Sequence, residues 1–257
     1  MKSISAPTVC ANCGKGERES NNLKSCAACK LVKYCSRGCQ AAHRPQHKKA
    51  CKKKASELYD EKLFKDPPPP EECPICFQPH PLDTAKSAFK SCCGKQICGG
   101  CLVGLKESEG GAEICPFCRT PIECSEEEEN KRVKKLTDCN HPYAFNYLAT
   151  AYDNGDRGFS QNCEKANELW LKGGDHNLGN AYYYGRGVEV DKKKAQHYYE
   201  LAAMMGCVDS RFYAGNYEGQ IGNVTGNHER AFKHYIIAAK AGCNESLDKA
   251  KQGFMHV

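Results

Sequence analysis

The chain has 257 residues, a net charge of +6 and 20 cysteines. This length allows two domains or several small ones, and so many cysteines exclude an ordinary cytosolic enzyme. The cysteines cluster in Cys-x-x-Cys pairs, and the sequence opens without a charged leader and apolar run, which favours thiolate metal sites in a reducing compartment over a disulfide framework. No apolar stretch approaches the length of a membrane span. We therefore expect an intracellular protein, in the cytoplasm or the nucleus, with no membrane partner.

The first cysteine block covers residues 10–51 and places seven cysteines and one histidine at metal-ligand spacing. This number of donors is enough for two closed four-ligand zinc sites. His47 and Cys51 are one helical turn apart, so a single helix face can bring both to one metal. With Tyr34 directly before a ligand and Gln40 directly after one, the whole block resembles a MYND finger.

The MYND resemblance implies which ligands share a metal, because ligand pairs interleave in that family. One zinc takes Cys10, Cys13, Cys35 and Cys39, and the other takes Cys26, Cys29, His47 and Cys51. His43 falls outside the pattern, and we expect it on the surface. Members often bind short proline-containing peptides, but Arg44 stands here at a position that is usually Trp.

A basic segment and a proline run follow the first block. Residues 44–54 carry much of the positive charge, which we interpret as a solvated basic face; nucleic-acid contact or a nuclear import signal is the alternative. Lys52 to Lys65 predict a short charged helix, and the run Pro67–Pro70 ends it and continues as a stiff extended spacer. Residues 52–72 are therefore expected to link two domains.

The second cysteine block, residues 73–119, contains three Cys-x-x-Cys pairs and the adjacent pair Cys92-Cys93. Together they supply the soft ligands for two tetrahedral zinc sites. The elements Cys-Pro-Ile-Cys, Cys-Gly-x-x-x-Cys-x-x-Cys and Cys-Pro-x-Cys-Arg resemble a RING finger. Lys95 stands where a RING finger usually has a histidine ligand, so another residue must donate. Cys92 is the first candidate and His80, in the long first loop, is the second.

The RING resemblance implies an interleaved cross-brace with two further metals. The expected sets are Cys73, Cys76, Cys98 and Cys101, then Cys92, Cys93, Cys115 and Cys118. The chain would then bind four zinc ions, and each finger is too small to fold on apolar burial alone. A structural zinc contributes about 10–16 kcal/mol to the folding of such modules. Closed ligation leaves no open coordination position, so zinc hydrolase chemistry is not expected.

The RING resemblance also implies a function, recruitment of a ubiquitin-conjugating enzyme. The docking positions of the family correspond to Ile75, Leu105 and Pro116, and the cation that clamps ubiquitin corresponds to Arg119. Two functions remain open: a RING-type ubiquitin ligase whose repeats select substrate, and a protein-binding scaffold without ligase activity. A nucleic-acid-associated regulator is the least favoured class. The sequence contains no recognisable catalytic constellation, so no catalytic residue is expected.

The third block covers residues 125–252 and repeats itself. Ser125 and Glu128 form a capping box that predicts a leading helix. Beyond it, Leu148 to Gly155 recurs as Leu178 to Gly185, and Lys165-Ala166 recurs as Lys194-Ala195 and Arg230-Ala231. This pattern resembles the Sel-like repeats, relatives of the tetratricopeptide repeats, and implies helix pairs joined by Gly-rich turns. Stacked helix pairs present a concave face that binds segments of other proteins.

Two details of the third block give finer predictions. Trp170 and Tyr199 are 29 positions apart, whereas Tyr199 and Tyr235 are 36 apart, so the first junction is shortened. We expect the helix that carries Trp170 to end near Lys172, before two glycines, and Asp175 to start a short next helix. The remaining cysteines are expected to pack or to be ordinary thiols: Cys124, Cys139, Cys163, Cys207 and Cys243.

The fold class that follows is a pair of small zinc-stapled α+β fingers, MYND-type and then a RING-like cross-brace, followed by an all-α helical-repeat solenoid. This order of modules resembles multi-module zinc-binding adaptor proteins.

Overall fold

The computed structural model describes residues 8–16, 23–108, 113–174, 176–225 and 227–254. The chain forms two compact units, Met1–Lys65 and Asp66–Val257. The first unit contains the first cysteine block, and the second contains the proline run, the second cysteine block and the repeats. Among the described residues, no helix combines the length and the apolar character that crossing a membrane requires.

Within its described residues, the first unit has a two-stranded sheet and one long helix. Strands β1 (Lys24–Ser25) and β2 (Lys33–Tyr34) pair antiparallel, and helix α1 runs over Arg37–Leu63. The side chain of Ser36 caps α1 by accepting a hydrogen bond from the N–H of Cys39. Its small core is built from buried cysteines around Tyr34.

The charged helix predicted from Lys52 to Lys65 is the second half of α1 and not a separate linker element. The ligand spacing of His47 and Cys51 already requires a helix there, and no Gly or Pro follows Cys51 that could end it before Leu63. Pro45 lies inside α1 without ending it. The boundary between the units therefore lies at Lys65, beside the proline run, and not at the last zinc ligand.

The second cysteine block folds as a hairpin followed by a helix. A short 3₁₀ turn (Thr84–Lys86) leads into β3 (Ser87–Phe89), which pairs antiparallel with β4 (Gln96–Cys98). Helix α2 (Gly99–Glu107) follows directly. Ile97, in β4, is completely buried. The hairpin thus brings Cys98, at the end of β4, close to the preceding Cys73–Cys76 pair. Its turn brings the Cys92-Cys93 pair close to the following Cys115–Cys118 pair.

The remainder is helical. The helices are α3 (Glu126–Asp138), α4 (Pro142–Asn154), α5 (Cys163–Gly173), α6 (Asn177–Tyr184), α7 (Lys192–Met204), α8 (Val208–Thr225), α9 (His228–Lys240) and α10 (Asn244–Phe254). Helix α3 begins as predicted, with the Ser125 hydroxyl accepting a hydrogen bond from the N–H of Glu128 at 3.2 Å. Successive helices pack on one another along the chain, as a solenoid requires.

The repeats reuse the same local interactions. Gly155 and Gly185 end α4 and α6 in the left-handed conformation, with φ of 70° and 77°. The hydroxyl of Tyr199 donates to Asn180 at 2.7 Å, and 36 residues later that of Tyr235 donates to Asn216 at 2.9 Å. These recurring bonds hold the pairs α6–α7 and α8–α9 in the same arrangement.

The junction between the first two repeats is shortened, as the sequence predicted. Helix α5 ends at Gly173, one residue beyond the expected end, and Gly174 follows in the left-handed conformation with φ of 68°. The next helix, α6, has only 8 residues. The expected start at Asp175 lies outside the described residues.

The second cysteine block packs on the start of the repeats inside the second unit. The ring of Phe89, on β3, lies 6.0–6.3 Å between centroids from those of His141, Tyr143 and Tyr147. Phe89 also packs against the core cluster Val133, Ala144 and Leu148 of α3 and α4. The hydroxyl of Tyr143 donates to the Glu71 carboxylate at 2.9 Å. This block and the first repeat therefore share one hydrophobic core.

Candidate metal centres and interaction surface

Among the residues that the structure describes, sulfur and nitrogen donors converge in four clusters, and in each the ligand atoms all lie within 4.8 Å of one another. The clusters are Cys10, Cys13, Cys35 and Cys39; Cys26, Cys29, His47 and Cys51; Cys73, Cys76, Cys98 and Cys101; and Cys92, Cys93, Cys115 and Cys118. The structure thus brings together all sixteen predicted ligands in the predicted sets.

The distances within the clusters fit a tetrahedral metal. Neighbouring sulfurs are 3.5–3.7 Å apart, as in the pairs Cys13–Cys35, Cys35–Cys39 and Cys93–Cys115. A Zn–S bond of about 2.3 Å in a tetrahedron puts two sulfurs about 3.8 Å apart. A disulfide would need about 2.05 Å. The donor sets therefore fit zinc, which would hold each finger closed as a structural ion.

Four of the Cys-x-x-Cys pairs form the same tight turn. The residue directly after the second cysteine is left-handed, and its N–H donates to the carbonyl of the first cysteine. These residues are Gly14, Lys30, Phe77 and Arg119, with φ between 58° and 74° and N···O distances of 2.8–3.0 Å. The turn places two sulfurs on one side and fixes the direction of the side chain that follows them.

A fifth turn has the same hydrogen bonds but lacks the first cysteine. The N–H of Gly94 donates to the carbonyl of Lys90 at 2.8 Å. The N–H of Lys90 in turn donates to the carbonyl of Lys95 at 2.9 Å. Lys90 therefore holds the place of the first ligand and Cys93 that of the second. The adjacent Cys92 supplies the second sulfur of this turn to the cluster. The sequence signal was the glycine four residues after Lys90, matching Gly14 four residues after Cys10.

His80, the other candidate for the missing ligand, lies elsewhere. Nδ1 of His80 is 3.1 Å from the Ser87 hydroxyl and is not part of a donor cluster. Nζ of Lys95, at the usual histidine position, lies 4.7 Å from the ring centroid of Phe117. This cation–π contact gives Lys95 a packing role beside the last cysteine pair.

The burial of His43 differs from the prediction, which placed this residue on the surface. It is half-buried, its Nδ1 lies 3.0 Å from the Tyr34 hydroxyl, and its ring stacks on that of His47 at 5.6 Å. Helical spacing explains this position, because residues four apart share one face of α1. His43 thus supports a predicted metal ligand without being one.

The thiol pKa values show why a cation is needed at these sites. The backbone N–H of Cys13 lowers the pKa of Cys10 to about 6, and the Thr120 hydroxyl lowers that of Cys118 to about 6. Hydrogen bonding with Cys39 raises the pKa of Cys35 to about 12, and burial with neighbouring sulfurs raises that of Cys92. Four sulfurs in contact cannot all ionise unless a cation compensates their charge.

The four positions assigned to conjugating-enzyme docking differ in exposure. Ile75 is 36% exposed, Pro116 and Arg119 are exposed, and Leu105 on α2 is half-buried. Other apolar side chains of the same block are also exposed: Phe77, Leu82, Val103 and Ile114. Residues 73–119 therefore expose apolar side chains to solvent, although most of their cysteine ligands are buried or half-buried.

Two protein families match this chain. The MYND finger family matches residues 10–51, and the Sel1 repeat family matches residues 142–177, 174–207 and 208–243. The MYND match covers the first two donor clusters, and the Sel1 matches cover helices α4 to α9.

Curated relatives are similar over short stretches of the finger region. "SET domain and MYND-type zinc finger protein 6" of Schizosaccharomyces pombe is 40% identical over 50 residues, 20% of this chain and 10% of that protein. "E3 ubiquitin-protein ligase GW2" of Oryza sativa, in both indica and japonica, is 43% identical over 53 residues, 20% of this chain and 11% of that protein. The chain spans about a tenth of the length of these relatives.

Similar solved structures include a Sel1 repeat protein from Oxalobacter formigenes, at a TM-score of 0.45 and 24% identity, covering 52% of this chain and 56% of that one. Another is c5321, a protective antigen of uropathogenic Escherichia coli with an SLR fold, at a TM-score of 0.44 and 18% identity, covering 53% and 31%.

The family matches and the donor geometry agree on two parts of the chain. MYND fingers bind zinc, and Sel1 repeats are protein-interaction modules. Residues 10–51 are a MYND finger and residues 142–243 are Sel1 repeats, and the cysteine-rich region between them has two donor clusters that could hold zinc.

Proposed function

We propose that residues 73–119 act as a RING-type ubiquitin ligase and that the Sel1 repeats select the protein to be modified. Such a ligase forms no covalent intermediate. It holds a charged ubiquitin-conjugating enzyme in its reactive geometry, so it needs an exposed apolar docking surface and one hydrogen-bonding cation. The zinc ions supply folding energy only, because each donor set is complete with four protein ligands.

The exposure of the docking positions is the observation that carries the proposal. Ile75 and Pro116 lie between the two cysteines of their turns, and both are exposed at the surface. Leu105 is half-buried on α2, and Phe77, which directly follows the first turn, is 71% exposed. We propose that these side chains form one docking patch, and since such a patch is small, the complex should be weak and transient.

The position of Arg119 fits the role of the clamping cation. Its N–H donates to the Cys115 carbonyl at 2.9 Å, which fixes its backbone at the end of the last turn. Its side chain is exposed and makes no ion pair or hydrogen bond with the residues that the structure describes. The guanidinium is therefore available to bridge ubiquitin and a conjugating enzyme by charge-assisted hydrogen bonds.

Two further observations bear on the choice of function. The similarity to a rice E3 ubiquitin-protein ligase lies in the finger region and favours ligase activity. Lys95 in place of the usual histidine favours the second candidate, a scaffold in which the RING-like block only packs on the repeats. The proposed ligand sets keep the second zinc site complete without that histidine, so Lys95 does not exclude recruitment.

Ubiquitin discharge from a panel of charged conjugating enzymes, measured with the full chain, tests the proposal. We expect at least one enzyme to be discharged faster with the protein than without it. Arg119→Ala should reduce discharge but keep zinc content, because only the clamp on the charged complex is lost. Ile75→Ala should abolish recruitment.

Lys30→Ala is the matched control for Arg119→Ala. Lys30 is a cation at the same left-handed position of the same turn, but in the MYND finger. Its replacement should leave discharge unchanged. If every enzyme in the panel stays charged while zinc is fully bound, the ligase proposal fails and the scaffold remains. If Lys30→Ala and Arg119→Ala reduce discharge equally, the clamp is not at Arg119.

A further inference from the structure

A groove of about 280 Å³ lies between the first two repeats. It is lined by one face of α5, by Leu178 and Tyr182 of α6, by the turn at Gly187 and Val188, and by Tyr198 of α7. This volume is just below the range of about 300–1,000 Å³ for small-molecule sites, so the groove suits one large side chain.

The α5 side of the groove is acidic. Glu164, Asn167 and Glu168 are spaced three and four residues apart and therefore share one helix face. Both carboxylates are exposed, and neither has an ion pair or hydrogen bond within the part of the chain that the structure describes. Leu171, one turn further along and 58% exposed, adds apolar area at one end of the groove.

The same wall of the groove contains a buried acceptor without a donor. Asn167 is only 6% exposed, and its Nδ2 donates to the carbonyl of Arg186 at 2.9 Å. Its Oδ1 has no hydrogen-bond partner among the described residues. Leaving a buried acceptor unpaired is unfavourable, so an added donor in the groove would stabilise the protein.

The opposite wall is aromatic. The rings of Tyr182 and Tyr198 stack at 5.3 Å with an interplanar angle of 11°. Nζ of Lys194 lies 5.2 Å from the Tyr182 ring centroid, but this ammonium also lies 3.9 Å from the Asp191 carboxylate, which offsets its charge. The Tyr wall and the buried Leu178 can therefore hold an aliphatic stem while its charged end faces α5.

The acidic pair of the first repeat does not recur in the second. Aligning Lys165-Ala166 with Lys194-Ala195 puts Lys193 at the position of Glu164 and His197 at that of Glu168. Gln196 then replaces Asn167, and its Nε2 donates to Glu200 at 2.9 Å. The second repeat thus lacks the acidic pair at these positions, so the groove charge is not a general property of the repeats.

We propose that this groove binds an arginine side chain of an extended partner segment. The guanidinium would donate to the carboxylates of Glu164 and Glu168 and to Oδ1 of Asn167, with its stem against the Tyr wall. A planar, five-donor group matches several acceptors better than an ammonium does. The inference names the partner chemistry for the repeats in the proposed function, but binding at the groove does not require ligase activity.

Titration of the ¹⁵N-labelled full chain with acetyl-Leu-Arg-Leu-amide tests the proposal by NMR. We expect saturable shifts at the amides of Glu164, Asn167 and Tyr198. The same peptide with citrulline, the uncharged isostere of arginine, should bind about tenfold more weakly or worse, since a hydrogen bond to a charged group is worth at least that factor. Equal binding of the two peptides, or no shift in the groove, would overturn the proposal.

Substitutions on α5 provide the second arm. Glu164→Gln with Glu168→Gln should weaken the arginine peptide by about tenfold or more, while Glu127→Gln, an exposed carboxylate on α3, should not. The thermal unfolding midpoint of each variant verifies folding. With no substrate protein present, the double variant should discharge ubiquitin from the conjugating enzyme as fast as the wild type. This result separates failure of the groove proposal from failure of the ligase proposal. Unweakened binding in the folded double variant contradicts the proposal.

Discussion

Both fingers use Cys-x-x-Cys turns and sulfur donors, with His47 of the MYND finger as the one nitrogen donor, but their surroundings differ. The MYND finger belongs to the compact unit Met1–Lys65, whereas the RING-like block shares the unit Asp66–Val257 with the repeats. The space around Gly14 and Gly94, at equivalent positions of two turns, shows this difference. Both are left-handed, at φ of 74° and 77°, yet a Cβ on Gly14 would meet no atom within 4 Å and one on Gly94 would lie 2.6 Å from Nε2 of His141.

This difference indicates that the fingers have different sources of stability. The MYND finger has a core of its own, made of Cys10, Cys26, Cys29 and Tyr34. The RING-like block contributes Phe89 to the core of α3 and α4. Metal binding in the second finger should therefore also stabilise the first repeat, and the repeats should set the direction in which the docking positions face.

Loss of one ligand in each finger should produce the largest effect, because a structural zinc contributes about 10–16 kcal/mol to such modules. Cys73→Ser should remove hydrogen-exchange protection from residues 73–119 and lower it in α3 and α4, since Phe89 leaves their shared core. Cys29→Ser should remove protection from the first finger. Cys139→Ser, an exposed thiol outside the clusters, is the control. Full protection of α4 in Cys73→Ser would contradict the shared core.

Alanine at the two glycines should give a smaller, graded effect. Gly14→Ala should cost about 1–2 kcal/mol from its left-handed backbone alone. Gly94→Ala should cost more, because its Cβ also collides with His141. Denaturant unfolding of each variant measures both. In a double-mutant cycle, His141→Ala should recover part of the Gly94→Ala loss. Equal losses at both glycines would mean that His141 does not restrict this turn.

Removal of one hydroxyl should have the smallest effect. Tyr143→Phe deletes the bond to Glu71 and should cost roughly 1 kcal/mol of unfolding free energy. Burial and Glu71 raise the Tyr143 pKa from 10.0 to about 12. Because the folded-state pKa is the higher one, the stabilisation is complete below pH 10 and is lost as the pH rises to 12.

Urea unfolding of the wild type and Tyr143→Phe, from pH 8 to roughly pH 11, measures this contribution. The wild-type advantage should shrink at the alkaline end. Tyr184→Phe, at an exposed ring, is the control and should be neutral. A constant difference across the pH range would exclude the hydroxyl as its source.

The sequence predicted what depends on near neighbours in the chain. Ligand pairs in the MYND block are separated by two or three residues, so their spacing alone indicates the turn or helix that joins them. The end of α5 was predicted for the same reason, since Gly173 and Gly174 are local helix breakers. Adjacent cysteines left the second RING-like site ambiguous between Cys92 and His80, because spacing does not show which of them turns inward.

What the sequence did not reveal depends on distant packing. Phe89 and Tyr147 are 58 residues apart, and nothing in either segment marks their contact. The role of His43 requires the stacked arrangement on α1, and the acidic groove requires Tyr198 to lie opposite α5. The single helix from Arg37 to Leu63 was divided in the prediction because the metal ligands were treated as the end of a domain.

The zinc content of the chain, measured by native mass spectrometry after expression with zinc, tests the central claim most directly. We predict four zinc ions in the wild type, three in Cys92→Ser, and four in both His80→Ala and Cys124→Ser, since neither of these residues belongs to a donor cluster. Three ions in the wild type, with Cys92→Ser unchanged, would show that the adjacent cysteine pair does not complete the second RING-like site.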